Sequence, residues 1–150
     1  MTPAYGVFAQ YYDALTQNVC YAERAAQLDR LIHKWEAPEM PDNILLDLAC
    51  GTGSLSEEFA KRGWDVIGID GSEEMLSEAL DKKYDSGLPI QYLKQDMRRL
   101  DLYGCISVTV CALDLHEDKK IILFTVRSDA AFNQPACNRG GRGRTVGGPG

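Results

Sequence analysis

Two glycines and an aspartate are the residues whose types and spacing most clearly indicate ligand chemistry. The run Asp47-Leu48-Ala49-Cys50-Gly51-Thr52-Gly53 carries glycines one residue apart, and Asp70 follows Gly51 by nineteen residues. Such glycines let the backbone turn tightly and let a ligand approach where a Cβ would collide. A carboxylate at the spacing of Asp70 can accept hydrogen bonds from both hydroxyls of a ribose. The two features together predict a ribose-containing ligand.

The composition of this glycine turn disfavours a dinucleotide. A dinucleotide-binding turn has a third glycine three residues after the second, but Ser56 stands there, and no basic residue in the turn could meet a pyrophosphate. Asp47 instead leads the turn with an acid, which suits a ligand that carries an ammonium and a nearby sulfonium. S-adenosylmethionine has this charge pattern. A NAD(P)-binding oxidoreductase is the less favoured alternative.

The elements that must position these residues alternate between strand and helix. Apolar residues recur at helical spacing from Tyr21 to Trp35. Ser54 and Glu57 predict a capping box at the start of a second helix, and Ser72 predicts the N-cap of a third. The predicted strands are residues 44–46, 64–69, 90–93 and 106–113. This order predicts an α/β fold with a Rossmann-like, doubly wound parallel sheet, whose ligands bind beyond the carboxyl ends of the strands.

These motifs resemble those of the class I S-adenosylmethionine-dependent methyltransferases, in the branch that modifies small molecules. The resemblance covers about residues 5–113. It implies backbone contacts from the glycine turn to the methionine part of the donor, a ribose on the acid after strand two, and adenine contacts after strands two and three. The predicted cofactor-binding residues are Tyr11, Asp47, Ala49, Gly51, Gly53, Asp70, Gly71, Met75, Asp96, Met97 and Cys111.

The stretch from Tyr5 to Asp13 also resembles this branch, in which an N-terminal aromatic helix closes over the donor. The resemblance implies a helical lid that excludes water from the transfer. Aromatic faces attract a sulfonium by about 0.5 to 2 kcal/mol. Tyr11 is the residue expected nearest the donor, and Tyr5 is the weaker candidate.

Beyond Leu113 the sequence departs from the family pattern. Residues 114–120 are too few for a parallel crossover, so the apolar run Ile121 to Phe124 is expected to pair antiparallel with strand four or to cover its edge as irregular chain. The sheet is therefore expected to be incomplete at its C-terminal side, truncated or altered. We predict a partial methyltransferase domain over residues 1–126 and a Gly/Arg-rich disordered tail over residues 127–150.

Composition limits the partners that can be expected. A net charge of -6 disfavours nucleic acid, because Lys and Arg must neutralise phosphates. Five cysteines without a Cys-x-x-Cys pair lie far from His33 and His116, so no metal site is expected. Unpaired thiols suit a reducing compartment, and no run of about 18 apolar residues occurs. We predict a cytoplasmic protein that has no membrane partner.

The resemblance implies methyl transfer from S-adenosylmethionine to a small-molecule acceptor. Catalysis would come mainly from holding donor and acceptor at attack distance. No catalytic residue is assigned, because the segment expected to hold the acceptor departs from the family. The alternative is a truncated, catalytically inactive S-adenosylmethionine-binding fragment that self-associates through an exposed edge of strand four.

Overall fold

The structure, a computed structural model, describes residues 9–11, 13, 14, 20–35, 43–102, 106–115 and 118–124. Tyr5, the boundary at residue 126 and the predicted tail lie outside these ranges. Residues 9–11, 13 and 14 are helical. The helices that follow are α1 (Tyr21–Trp35), α2 (Ser54–Lys61) and α3 (Glu73–Ser86). The strands are β1 (Ile44–Leu48), β2 (Asp65–Asp70), β3 (Gln91–Lys94), β4 (Val108–Leu115) and β5 (Asp118–Phe124).

The described strands form one sheet in the order β3-β2-β1-β4-β5. β1 pairs in parallel with β2 on one side and with β4 on the other, and β3 continues the parallel pairing beyond β2. This arrangement confirms the predicted Rossmann-like α/β fold. The strand order reverses between β1 and β4, and ligands of open α/β sheets bind at such a reversal, beyond the carboxyl ends of the strands.

Alternation along the strands sends apolar side chains to both faces of the sheet. Leu45 packs with the predicted helix stripe of Ala25, Leu28 and Ile32, whereas its neighbour Leu46 packs in a second cluster on the other face. Strands buried on both faces are typical of parallel sheets. The core therefore fixes β1 firmly on both sides, and with it the turn that follows β1.

The helix starts test two of the predicted caps. Ser72 is confirmed as an N-cap, because its side chain accepts a hydrogen bond from the Met75 amide at 3.3 Å. The predicted capping box is wrong. Gly53, with φ 76°, is the N-cap of α2 and makes no side-chain cap bond, so Ser54 is already helical. Its hydroxyl is instead engaged by distant residues, described below.

The structure of β4 and β5 differs from the prediction in the start of the fourth strand and in the state of its edge. β4 begins at Val108 rather than residue 106, and β5 pairs antiparallel with it, with Ile122 opposite Cys111. The connection is too short for a crossover but sufficient for antiparallel neighbours. The premise of an exposed β4 edge is therefore wrong along these residues. Their outward backbone groups bond to β5, so self-association through this edge is disfavoured.

Candidate functional site

The turn after β1 adopts a backbone conformation that ordinary residues seldom accept. Ala49, Gly51 and Gly53 all have positive φ, at 55°, 57° and 76°. The left-handed region costs about 1 to 2 kcal/mol for a residue with a Cβ, so Ala49 is a strained position. The Cys50 amide donates to the Ile69 carbonyl at 3.0 Å, which ties the turn to the end of β2.

The two glycines of the turn serve different purposes. A Cβ built on Gly51 would meet no atom within 4 Å, so this side of the turn is open to a ligand. A Cβ on Gly53 would lie 2.2 Å from the Tyr92 hydroxyl oxygen and 2.8 Å from Tyr92 Cζ. Gly53 is thus required by protein packing, whereas Gly51 fits the predicted close approach of a ligand.

Asp70 joins the tips of β1 and β2. Its Oδ2 accepts from the Gly51 amide at 2.9 Å, and its Oδ1 accepts from the Ser72 amide at 2.8 Å. The glycine turn and the acid therefore lie side by side, as the sequence predicts. Each carboxylate oxygen has a further lone pair that can accept from a ligand hydroxyl.

Two cavities open on either side of this junction, and Ala49 lines both. The inner cavity has a volume of about 40 Å³ and the outer cavity about 570 Å³. The inner cavity is lined by Tyr21, Arg24, Asp47, Ala49, Cys50, Gly51, Thr52, Ser54, Leu55 and Ala112. The outer cavity is lined by Ala49, Ile69, Asp70, Gly71, Lys94, Gln95, Asp96, Met97 and Arg98.

Asp47 is the buried charge of the inner cavity. Its side chain is 2% exposed, and the Ser56 hydroxyl donates to its Oδ2 at 2.6 Å. Burial raises the pKa of Asp47 to about 7, Ser56 opposes this rise, and repulsion from Asp70 adds to it. A carboxyl in this state is stabilised as an anion by a cation that enters the cavity.

The two cysteines near the turn, Cys50 and Cys111, are both unreactive thiols. Burial, followed by repulsion from Asp47 and Asp70, raises the pKa of the Cys50 thiol well above its usual range, so Cys50 is no nucleophile. Cys111 is also buried, and its pKa is raised mainly by burial. Its neighbour Ala112 lines the inner cavity in its place, because successive side chains of β4 point to opposite faces.

Two residues of α1 reach the inner cavity and were not predicted to do so. Tyr21 and Arg24 lie three positions apart, on one side of the helix next to the buried Ala25. The sequence contained a signal for this pair, because Tyr21 begins the apolar stripe of the helix and Arg24 lies directly beside it. Arg24 brings a permanent positive charge to the cavity that contains Asp47.

The outer cavity holds the predicted adenine-binding residues, and its acid is already engaged. Asp96 is exposed, and the Arg98 guanidinium donates to its Oδ2 at 2.7 Å and to its Oδ1 at 3.0 Å. The Arg98 side-chain bonds, and then its backbone amide, lower the pKa of Asp96 to about 2. Met97 is 48% exposed at the rim, and Gly71 has open space around its Cα.

Four predicted residues line neither cavity: Gly53 and Cys111, described above, and Met75 and Tyr11. Met75 is buried at the start of α3 and is no lining residue of either cavity. Tyr11 is 60% exposed and also lines neither one. Asp13, in the same helical segment, does contact the glycine turn, since the Thr52 hydroxyl donates to it at 2.6 Å.

Two other features are absent from the residues that the structure describes. Across them, no group of three or more His, Cys, Asp or Glu residues is arranged to hold a metal ion. None of the helices in the described ranges is long and apolar enough to cross a membrane.

Comparison with known proteins agrees with this geometry. A sequence profile described as a methyltransferase domain matches residues 45–125. The protein YqeM of Bacillus subtilis strain 168 is 42% identical over 129 residues, which are 83% of this chain and 49% of YqeM. The chain thus spans about half the length of this relative.

Solved structures show the same likeness. An S-adenosylmethionine-dependent methyltransferase from Clostridium acetobutylicum superimposes with a TM-score of 0.60 at 31% identity, over 74% of this chain and 44% of the other. CalS10, an amino pentose methyltransferase of Micromonospora echinaspora solved with its methyl donor bound, gives 0.57 at 26% identity, over 68% and 41%. The chain belongs to the class I S-adenosylmethionine-dependent methyltransferase family, whose cofactor is S-adenosylmethionine.

Proposed function

We propose that the two cavities form one S-adenosylmethionine site and that the protein transfers the methyl group of this donor to a small-molecule acceptor. The observation that carries the proposal is the 2.9 Å bond between the Gly51 amide and Asp70 Oδ2. It holds the open glycine and the ribose-binding acid at the boundary between a small charged cavity and a large open one. A ligand with a charged amino-acid end and a nucleoside end would fit this arrangement, with its amino-acid end in the small cavity and its nucleoside end in the large one.

The inner cavity suits the methionine end of the donor. Asp47 lies buried there with a raised pKa, and an entering ammonium would offset the burial of its charge. Arg24 lines the same cavity and can bind the donor carboxylate, for which a guanidinium has suitable geometry. Ala49 and Gly51 line the same cavity with their backbone.

The outer cavity suits the adenosine end. Asp70 retains lone pairs for the ribose hydroxyls, and Gly71 leaves space beside them. Asp96 and Met97 line the same cavity, and we assign them to the adenine amino group and ring. For Asp96 to accept from that amino group, it must share or release the Arg98 guanidinium.

When bound, S-adenosylmethionine would supply an electrophilic methyl group: the acceptor lone pair would form the new bond to carbon, the carbon–sulfur bond would break with its electrons on sulfur, and any proton that the acceptor loses would pass to solvent. The residues of this chain bind and orient the donor, and α1 covers part of the inner cavity through Tyr21 and Arg24. Holding the reactants at attack distance supplies most of the acceleration in this type of reaction. We assign no general base.

Two observations support a small-molecule acceptor. The net charge of -6 disfavours a polyanionic substrate, and CalS10, which shares this fold, is described as a methyltransferase of an amino pentose. The second candidate is a donor-binding fragment without activity. It is favoured by the departure from the family pattern beyond Leu113, in the segment expected to hold the acceptor. The cytoplasmic compartment stays a prediction from cysteine content.

Calorimetric titration with S-adenosylmethionine, S-adenosylhomocysteine and NAD tests the proposal. We expect both adenosyl compounds to bind with one molecule per chain and NAD to produce no binding heat. Binding of NAD alone would contradict the ligand assignment. Turnover with a small amine or hydroxyl acceptor would separate the enzyme from the inactive fragment, which binds the donor without consuming it.

A further inference from the structure

Four polar side chains form a cluster beside the glycine turn that donor binding alone does not explain. The Thr52 hydroxyl donates to Asp13 Oδ1 at 2.6 Å, and the Ser54 hydroxyl donates to the same oxygen at 3.4 Å. Lys82 Nζ donates to Ser54 Oγ at 2.8 Å and to Thr52 Oγ1 at 3.3 Å, and it forms an ion pair with Asp13 Oδ2. This cluster, the Asp13–Lys82 cluster, joins the helical residues 9–11, 13 and 14 to the turn and to α3.

The cluster adjoins the inner cavity. Thr52 and Ser54 both line that cavity, and Thr52 is buried. Ser54 is also the first residue of α2, so the Lys82 ammonium lies at a helix N-terminus. The helix dipole makes a positive charge unfavourable there, and a neighbouring anion relieves this cost. Asp13 is the anion in contact with Lys82.

We propose that Asp13 is a positioning residue that neutralises Lys82 and so lets the inner cavity favour a positively charged donor over the neutral product. The inference rests on the proposed function. In S-adenosylmethionine the ammonium and carboxylate charges cancel and the sulfonium leaves one positive charge. In S-adenosylhomocysteine that sulfonium is a neutral thioether. An uncompensated Lys82 would therefore repel the donor and leave the product almost unaffected.

The expected size of the effect follows from the Coulomb energy of two charges at the protein surface. Charges roughly 10 Å apart at an effective dielectric constant of about 25 to 50 change affinity by about three- to tenfold. Lys82 is partly exposed, at 26% of its side chain, so the lower part of this range applies in ordinary salt. The measurement should therefore be made at low ionic strength.

Calorimetric affinities of both adenosyl compounds for three variants test the inference. Asp13→Asn keeps an acceptor for the Thr52 hydroxyl but removes the negative charge. It should weaken S-adenosylmethionine binding about three- to tenfold and S-adenosylhomocysteine binding less than twofold. Adding Lys82→Met to Asp13→Asn should restore most of the lost donor affinity. Glu58→Gln, which removes the 2.7 Å pair with Lys61 elsewhere on α2, is the matched control and should change neither affinity.

The outcomes separate this inference from the proposed function. If the parent chain binds neither adenosyl compound, the proposed function fails and the inference fails with it. If the parent binds both, equal losses for donor and product in Asp13→Asn overturn charge compensation, as does an unchanged donor affinity. The double variant guards against misfolding, because a chain that regains donor affinity must be folded.

Discussion

The inner and outer cavities meet at Ala49, but each places its carboxyl group in a different environment. The inner cavity is small and contains Asp47, which is almost fully buried and whose pKa is raised to about 7. The outer cavity is about 570 Å³, and its acid, Asp96, is exposed and paired with Arg98, with a pKa lowered to about 2. Asp47 accepts a hydrogen bond from the neutral Ser56 hydroxyl, whereas Asp96 is paired with the positively charged Arg98.

This difference shows how a single ligand can be recognised by two physical means. Burial makes ionisation of Asp47 unfavourable, and an entering cation would relieve this cost, so under the proposed function the inner cavity would select by charge. A solvated pair contributes little energy of its own, so the outer cavity must select by shape and by hydrogen bonds. Asp70 stands between them and bonds to backbone amides on both sides. Five substitutions test this division, beginning with that residue.

Asp70→Ala should have the largest effect because it removes the junction itself. Two amides lose a charged acceptor, which costs about 3 kcal/mol of unfolding free energy, and the ribose hydroxyls lose theirs. We expect donor affinity to fall by roughly 100-fold in calorimetry. Asp65→Ala, at the exposed start of the same strand, is the control and should leave affinity unchanged. Equal donor affinity in the two variants would remove Asp70 from the site.

Asp47→Asn should remove the pH dependence of donor affinity that we expect of the inner cavity. In the parent chain, the affinity for the cationic donor should rise as pH passes about 7, where Asp47 ionises. The variant should bind about tenfold more weakly at pH 8, similarly at pH 6, and show no such rise. A pH series of donor titrations measures this. A parent affinity that is flat from pH 6 to pH 8 would contradict the assigned role.

The same substitution should raise stability at neutral and alkaline pH. The pKa of Asp47 is higher in the folded chain than the ordinary 3.8, so the unfolded chain binds fewer protons between pH 3.8 and about 7. The free energy of unfolding therefore falls as pH rises through this window and stays low above it. Asp47→Asn, which keeps an acceptor for Ser56, should gain on the order of 2 to 4 kcal/mol at pH 8 in urea unfolding. Equal stability of parent and variant at pH 8 would show that the buried charge is compensated elsewhere.

Alanine at each glycine of the turn should separate packing from ligand access. Gly53→Ala collides with Tyr92 and should lower the unfolding free energy by about 2 kcal/mol. Gly51→Ala has space for its methyl group but a left-handed backbone, so it should cost about 1 kcal/mol and weaken donor binding about fivefold. Thermal unfolding and calorimetry would measure both properties. A greater loss of stability for Gly51→Ala would reverse the assignment.

Arg98→Met should produce the smallest change. It releases Asp96 for the adenine amino group, and an exposed ion pair competes only weakly. We expect the donor affinity to rise by no more than about threefold, as measured by the same titration. A tenfold loss would instead place the guanidinium in contact with the donor.

The sequence alone predicts most of this fold and the neighbouring positions of the glycine turn and Asp70. Helical and strand periodicities are local signals, and they predicted the order of elements from α1 to β4 and the ligand edge of the sheet. The Gly51 and Asp70 spacing also predicted their contact, because parallel neighbouring strands bring their ends together. The edge of β4 was open to two interpretations, since the sequence could not decide how β5 would pair.

The parts that escaped prediction depend on contacts between distant residues. Ser54 looks like a helix cap in its own segment, yet its hydroxyl bonds to Asp13 and Lys82. Gly53 was predicted from ligand contact, and the structure adds a second requirement, because a Cβ there would collide with Tyr92, thirty-nine residues away. No local pattern contains that information, because tertiary packing decides which of two acceptable roles a residue takes.

The central claim is that both cavities bind one donor molecule, and amide chemical shifts test it most directly. A ¹⁵N-labelled chain would be titrated with S-adenosylhomocysteine, following Gly51 and Thr52 at the inner cavity and Gly71 and Gln95 at the outer one. We predict that all four amide signals shift with a single dissociation constant. Shifts confined to one cavity, or two different constants, would contradict a single site.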